Sequence, residues 1–259
     1  MGAEKETGMT RTILLAAVLG LLAGAPVAAE EQQVWTVRYP LPPGGSLAVE
    51  NVQGNIWIEG WDRAEAEITV IKTTQGQGGR LDDVRVAVER GEGSLTIRTL
   101  YGGGSAEPVR VDYRLRVPRQ VELERLRTVE GDISVQNVEG SVDARSLNGN
   151  IRQVNVAGRV TARALKGNIA VVLRALPDPT ASLYLETLSG DVFLQLPAGA
   201  NADVEASTLD GQVLGSYLFT ASETPGDRWW RTRLGRGGVR IRLRTIHGNI
   251  HVGEAEEPL

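Results

Sequence analysis

Glycine recurs every nine residues through the middle of this chain, at Gly131, Gly140, Gly149, Gly158 and Gly167. An aliphatic residue follows two places after each: Ile133, Val142, Ile151, Val160 and Ile169. Four places after stand Val135, Ala144, Gln153, Ala162 and Val171, and seven places after stand Val138, Leu147, Val156 and Leu165. Positions +2 and +4 share one face of a strand because successive side chains alternate. The glycine permits the dihedrals that a sharp turn needs. Each unit therefore reads as a five-residue strand and a four-residue corner, with the +7 aliphatic turned inward. Five units in register, from about Thr128 to Leu173, specify a β-solenoid. Only Gln153 breaks the inward pattern.

The units alternate in kind. Gly131, Gly149 and Gly167 precede Asp132, Asn150 and Asn168 and then isoleucine, whereas Gly140 and Gly158 precede Ser141 and Arg159 and then valine. The full coil is thus 18 residues with two principal sides, a third short side in the corners being the alternative. Stacked coils place like over like about 4.8 Å apart. The Asp132, Asn150, Asn168 column, and Asn137 over Asn155, then read as side-chain ladders hydrogen-bonding along the coil axis. A calcium-binding nonapeptide roll needs paired glycines and an aspartate inside each unit, and this unit has one glycine.

Echoes of the corner extend the pattern: Gly54-Asn55-Ile56, Gly190-Asp191-Val192, Gly211-Gln212-Val213 and Gly248-Asn249-Ile250. Their wider spacing implies insertions, visible at Leu176-Pro177-Asp178-Pro179 and over 222–238. Upstream, Val109-Val111-Tyr113-Leu115-Val117 alternates with Arg110, Asp112, Arg114 and Arg116 as a strand with one apolar face. Val84-Val86-Val88 and Leu95-Ile97 flank a turn and read as a hairpin. The expected architecture is all-β: a β-solenoid, parallel β-helix-like, with ~18-residue coils and N-terminal strands and hairpins capping the same core. One domain is expected over 30–252, followed by a disordered acidic tail over 253–259.

The N-terminus reads as a cleavable signal peptide over 1–29. Arg11 precedes the apolar run Ile13–Ala25, and Val27 and Ala29 occupy the −3 and −1 positions of a cleavage site. The run is shorter than the ~20 residues that span a bilayer, so no stable membrane insertion is expected after cleavage. Glu4 and Glu6 sit oddly in such a leader, and Met9 is an alternative start. The address implied is extracytoplasmic, periplasmic or secreted. The chain has no cysteine, which excludes disulfides and a lipid-anchored N-terminal cysteine. The leader carries two basic and two acidic residues, so its loss leaves the net charge at −4. That balance argues against non-specific nucleic-acid binding, which needs a basic surface.

The repeated Gly-(Asp/Asn)-(Ile/Val) corners resemble those of the bacterial "putative adhesin" family, exported β-solenoid domains of unassigned biochemistry. The run Gly237-Gly238-Val239-Arg240-Ile241-Arg242-Leu243-Arg244-Thr245-Ile246-His247-Gly248-Asn249-Ile250 is similar to that family's C-terminal signature. The family pattern has a longer glycine run and a proline before its last strand, where this chain has Arg236 and Val239. The resemblance covers about Leu47 to Val252; it implies fold and export and brings no catalytic residue.

No nucleophile elbow, phosphate loop or cysteine–histidine pair is present, so no enzyme and no cofactor is expected. Asp143 beside Arg145, with Arg163 one coil on, reads as a surface ion pair. His247 and His251, separated by a corner, read as outward strand residues and not as metal ligands. Trp229 and Trp230, between Arg228 and Arg231, and the basic strand face Arg240, Arg242, Arg244 are the candidate ligand contacts. Aromatics with flanking donors suit a sugar face; the bland alternative is that the pair covers an open end of the core. If Arg240–Arg244 neighboured the arginine stripe Arg110, Arg114, Arg116, the two could meet an anionic polymer. The expected function is a non-enzymatic adhesive or structural module of the cell envelope, binding an envelope glycan or protein surface. A polysaccharide-binding protein, less readily a lyase or hydrolase, is the alternative, and self-association through open solenoid ends is a further expectation.

Overall fold

The computed structural model describes residues 31–74, 80–102, 109–221 and 229–255. The expected leader and residues 256–259 of the expected tail lie outside the described residues. Strands β1 (Gln32–Pro40), β2 (Ser46–Glu50), β3 (Ile56–Trp61) and β4 (Glu65–Thr74) come first. The hairpin β5 (Val84–Gly91) and β6 (Ser94–Tyr101) leads to β7 (Val109–Pro118). The regular block supplies β8 (Glu122–Glu130), β9 (Ile133–Gln136), β10 (Val142–Asn148), β11 (Ile151–Val156), β12 (Val160–Lys166) and β13 (Ile169–Leu173). Then follow β14 (Ser182–Ser189), β15 (Val192–Leu196), β16 (Ala202–Asp210) and β17 (Val213–Gly215). The chain ends with β18 (Thr220–Ala221), β19 (Trp229–Leu234), β20 (Val239–His247) and β21 (Ile250–Glu254).

These strands form two facing sheets, one of 10 strands and one of 11. Every coil contributes one strand to each. Ile133, Ile151 and Ile169 stack in parallel register in one sheet, and Val142 and Val160 in the other, which fixes an 18-residue, two-sided coil. One continuous apolar core runs between the sheets from Leu41 to Val252. Asn137 and Asn155, both at positive φ (57° and 56°), make the corner that turns Val138 and Val156 fully inward.

Leu147 and Leu165 do not follow them. They were expected inside, yet they are 47% and 38% exposed. Strands β10 and β12 run seven residues, two longer than the repeat implies. Side-chain alternation then turns Ser146 and Ala164 inward and the following leucine out. Two further expectations are revised. The insertion over 222–238 contains a strand, β19, paired antiparallel with β16. At the C-terminus β21 continues past Val252 to Glu254, and Ala255 N donates to Leu196 O (2.7 Å), so the start of the expected tail is paired.

The coils do not stack in chain order. Coil β2/β3 sits between β6/β7 and β8/β9, and coil β20/β21 sits between β14/β15 and β16/β17. The first and last coils of the chain are therefore each inserted one place in from an end. The corner glycines record the same sequence: a Cβ on Gly248 would strike Gly190 O, and one on Gly211 would strike Gly248 O. Beyond β6/β7 the stack is extended by antiparallel strands, β4 and β1 on one sheet and β5 on the other. At the opposite end β19 and β18 extend one sheet only.

Two hydrogen-bonded columns flank the glycines. In the first, each Asp or Asn after the glycine accepts from the main-chain N–H of the next coil. Asn55 N donates to Asp112 Oδ1, Asp132 N to Asn55 Oδ1 and Asn150 N to Asp132 Oδ1. Asn168, Asp191, Asn249 and Gln212 continue it. The expected ladder is thus chiefly side chain to main chain, with one side-chain link in the column from Asn150 Nδ2 to Asp132 Oδ1 (3.3 Å). The Asn137–Asn155 pair is a true amide ladder, Nδ2 to Oδ1 at 2.5 Å. In the second column, a buried hydroxyl three residues before most of the corner glycines caps a corner carbonyl, with Ala164 the gap before Gly167. Ser146 Oγ donates to Gly131 O (3.0 Å), Thr187 Oγ1 to Gly167 O (2.9 Å) and Thr245 Oγ1 to Gly190 O (2.9 Å).

Candidate interaction surface

The predicted contact residues Arg240, Arg242 and Arg244 lie on β20, whose alternate residues Ile241 and Leu243 enter the core. The arginines therefore project from the outer face of the 11-stranded sheet. Parallel and antiparallel register then aligns them into rows across four strands. One row reads Ser182, Arg240, Asp203, Arg233; the next reads Tyr184, Arg242, Glu205, Arg231; the third reads Glu186, Arg244, Ser207, Trp229.

This is a grid of alternating charge and not a basic stripe. Glu205 takes Arg231 (3.1 Å) and Arg242 (3.2 Å), Asp203 takes Arg233 (2.7 Å), and Glu186 lies 3.6 Å from Arg244. The hydrogen bond from Arg233, aided by the Gly238 N–H, holds the Asp203 carboxyl below the usual range. Burial, together with a hydrogen bond to Glu186, pushes the Tyr184 hydroxyl up. Over the first two rows lies an open groove of about 1050 Å³, with Leu218 and Thr220 on its rim.

The two predicted tryptophans part company. Trp229 shares the outer face with Arg244, whereas Trp230 packs partly buried against the core beneath the end strand. The other arginine stripe, Arg110, Arg114 and Arg116 on β7, belongs to the 10-stranded sheet, so the two stripes do not form one surface. There Arg114 lies over the Trp57 ring (5.4 Å) and Arg110 pairs with Asp112 (3.0 Å). His251 stacks on Phe193 (4.8 Å between ring centroids), and His247 is 3.5 Å from Asp210. Arg145 does pair with Asp143 (3.2 Å), and Arg163 lies over Tyr184 and 3.8 Å from Glu186.

A feature the sequence reading missed runs beside this grid. Leu147 and Leu165 belong to an aliphatic ridge that crosses every coil two residues before the corner glycine. In spatial order it comprises Leu100, Val52, Val129, Leu147, Leu165, Leu188, Ile246 and Leu209, all half-buried to exposed. At the strand spacing it is about 34 Å long. Two residues before the ridge, on the same outer face, Arg127, Arg145 and Arg163 stand side by side on β8, β10 and β12. The signal was present at positions 52, 129, 147, 165, 188, 209 and 246, but the sequence reading assigned the ridge position of its five-unit block to the core.

Over residues 26–253 the chain matches the family described as Toastrack DUF4097. It belongs to the toastrack family. The resemblance to the "putative adhesin" domains read from the corners holds, and so does the β-solenoid class. A solved structure described as a "putative cell adhesion protein" from Clostridium sporogenes superposes with a TM-score of 0.51 at 11% identity, covering 87% of this chain and 100% of that one. A "putative adhesin" from Bacteroides fragilis gives 0.42 at 10% identity, covering 85% and 96%. At such identities the likeness concerns the fold alone. A comparison with curated proteins finds no match. Among the described residues of this toastrack chain, no group of three or more His, Asp or Glu side chains is placed to hold a metal ion. No helix among them is long and apolar enough to cross a membrane.

Proposed function

We propose that this toastrack protein is a non-enzymatic surface-interaction module of the cell envelope, exported by its N-terminal leader and acting outside the cytoplasm. Its partner in this reading is an envelope protein surface. The observation that carries the reading is the ridge. Eight aliphatic side chains standing half-buried to exposed in one line are costly unless a partner covers them, and contiguous apolar patches mark interaction sites. The ridge stands on strands whose other face is fully buried, so it meets a partner with little ordering cost. The neighbouring arginines add orientation through rim electrostatics. The description of the Clostridium sporogenes protein as a "putative cell adhesion protein" agrees with this role.

The test is adhesion of the labelled protein to intact cells. Leu147→Glu with Leu165→Glu places charge on exposed positions, so the β-type circular dichroism stays intact. Binding is expected to fall by about tenfold or more, the loss of a ~1.4 kcal/mol contribution or greater. Undiminished binding removes the ridge from the function.

A second reading, extracytoplasmic polysaccharide binding, is favoured by the groove. Hydroxyls of Ser182, Tyr184 and Thr220 line it beside four arginines, which suits a charged glycan. On a glycan array this reading requires binding that is lost in Arg242→Ala and in Trp229→Ala. Silence on every envelope glycan sets it aside.

A further inference from the structure

At the β1/β5 end the solenoid stays open. The 10-stranded sheet stops at β1 and the 11-stranded sheet at β5, and neither outer edge has a partner among the described residues. The inward side chains Trp35, Val37, Tyr39, Val86 and Val88 are only partly covered, whereas Ile133, Ile151 and Ile169, in the same row as Trp35, are at 0% exposure. Together with Lys72 they wall a cleft of about 670 Å³ between the sheets. Lys72 is already engaged: its ammonium donates to Leu81 O (3.3 Å) and Val84 O and lies over the Trp35 ring.

We propose that two copies of this chain join head to head at this end, β1 to β1 and β5 to β5, about a two-fold axis normal to both sheets. Such an axis makes each edge pair with itself in antiparallel sense and carries both sheets across the junction unbroken. The apolar faces of the two clefts then cover one another.

Hydrogen-bond parity and side-chain chemistry select the register. Glu31 and Leu41 bond to β4 and its preceding turn through Thr74 N→Glu31 O (3.0 Å) and Leu41 N→Ala64 O (3.2 Å). Alternation therefore leaves the even residues of β1, Thr36 among them, with main-chain groups facing the free edge. On β5, Gly102 N→Asp83 O (2.7 Å) assigns the odd residues to β6 and leaves Val86 and Val88 facing out. With Thr36 on the axis, Thr36 meets Thr36 and Trp35 meets Val37 of the second copy. With Ala87 on the axis, Val86 bonds to Val88, and Arg85 lies opposite Glu89, which already holds Arg98 of its own chain (2.7 Å) and takes the second arginine on its exposed side, twice by symmetry. Each is a favourable cross-strand pair, with the smallest side chain at the two-fold itself.

One axis serves both edges. Thr36 lies in the row Thr69, Arg114, Trp57, Ser134, which is three residues past the corner glycine Gly131. Ala87 lies in the row Arg98, Glu50, Arg127, four residues before that glycine. The two points therefore face each other across the core to within about one residue, ~3 Å. The junction is remote from the middle of the ridge, so it stands or falls independently of the adhesive role.

Sedimentation of the purified protein across a concentration series tests this. The wild-type chain is expected to associate into a dimer. Arg85→Glu and Glu89→Arg each replace two attractive pairs by repulsive ones and should weaken association by about tenfold or more. An equimolar mixture of the two variants restores both pairs and should recover the dimer as a heterodimer, which a merely misfolded variant cannot do. Thr36→Pro removes an edge N–H that the monomer does not use and should leave a folded monomer. A wild-type protein that stays monomeric at every concentration overturns the proposal. So does a dimer indifferent to all three substitutions, or single variants that fail to recover on mixing.

Discussion

Gln153 is the residue at which sequence and structure agree on an anomaly. Its side chain enters the core at 0% exposure between Val135 and Val171, and neither its Oε1 nor its Nε2 has a hydrogen-bond partner. Leu194 occupies the equivalent place two coils on, so the column accepts a branched aliphatic of that size. Gln153→Leu removes two uncompensated polar atoms and is expected to stabilise the fold by about 1–3 kcal/mol. Urea unfolding with an unchanged slope and a higher midpoint checks it; a lower midpoint contradicts it. The break was legible because an amide interrupted an aliphatic column. The hydroxyl column was not, because Thr128, Ser146 and Thr187 look like ordinary polar strand residues until their carbonyl partners one coil away are known. Ala164 even interrupts it, which hides the period.

At the scale of the strand, alternation was read correctly and strand length was not. Inward assignment at +2 and +4 holds throughout β9 to β13. The +7 assignment holds after the short strands, where an asparagine in left-handed conformation turns the chain, and fails after the long ones, where the strand runs straight on. A leucine at such a place is indistinguishable from core in the sequence, so the ridge was hidden by the same residues that build it. The candidate arginines were placed on an outer face correctly, yet their acidic neighbours on β14 and β16 are 20 or more residues away in the chain and could not be paired with them. The inward assignment itself has a sharp test. Ile151→Asp buries a carboxylate between the sheets, at a cost of several kcal/mol, and is expected to abolish the β-type circular dichroism. Arg152→Asp, next along β11 and exposed, leaves it intact. Equal effects would contradict the two-faced strand.

For the whole molecule the decisive feature is that the first and last coils are each inserted one place in from an end of the stack. In a solenoid whose coils follow chain order, the last coil is the outermost and frays first. Here the last coil, β20/β21, lies between β14/β15 and β16/β17 and is bonded on both sides, while β17, earlier in the chain, is a three-residue edge strand. The corner motifs carry no mark of this order, since Gly190, Gly211 and Gly248 open similar coils; only the long spacing before the last one hinted at it. Local opening free energies follow buried contacts and not chain position. Native-state hydrogen exchange should therefore find Ile241, Leu243 and Ile250 near the terminus protected as strongly as Leu183 and Leu185 in β14. The amides of β17 and β18 should exchange earlier, with smaller opening free energies. Progressive loss of protection from β14 towards the C-terminus would instead mean that the chain frays in sequence order, and the inserted coil would have to be abandoned. The same arrangement makes the stack a cooperative unit: β16 cannot be held on its parallel side until the last nine-residue strand has arrived, so removing the final coil should expose β14 and β16 together rather than trim one repeat.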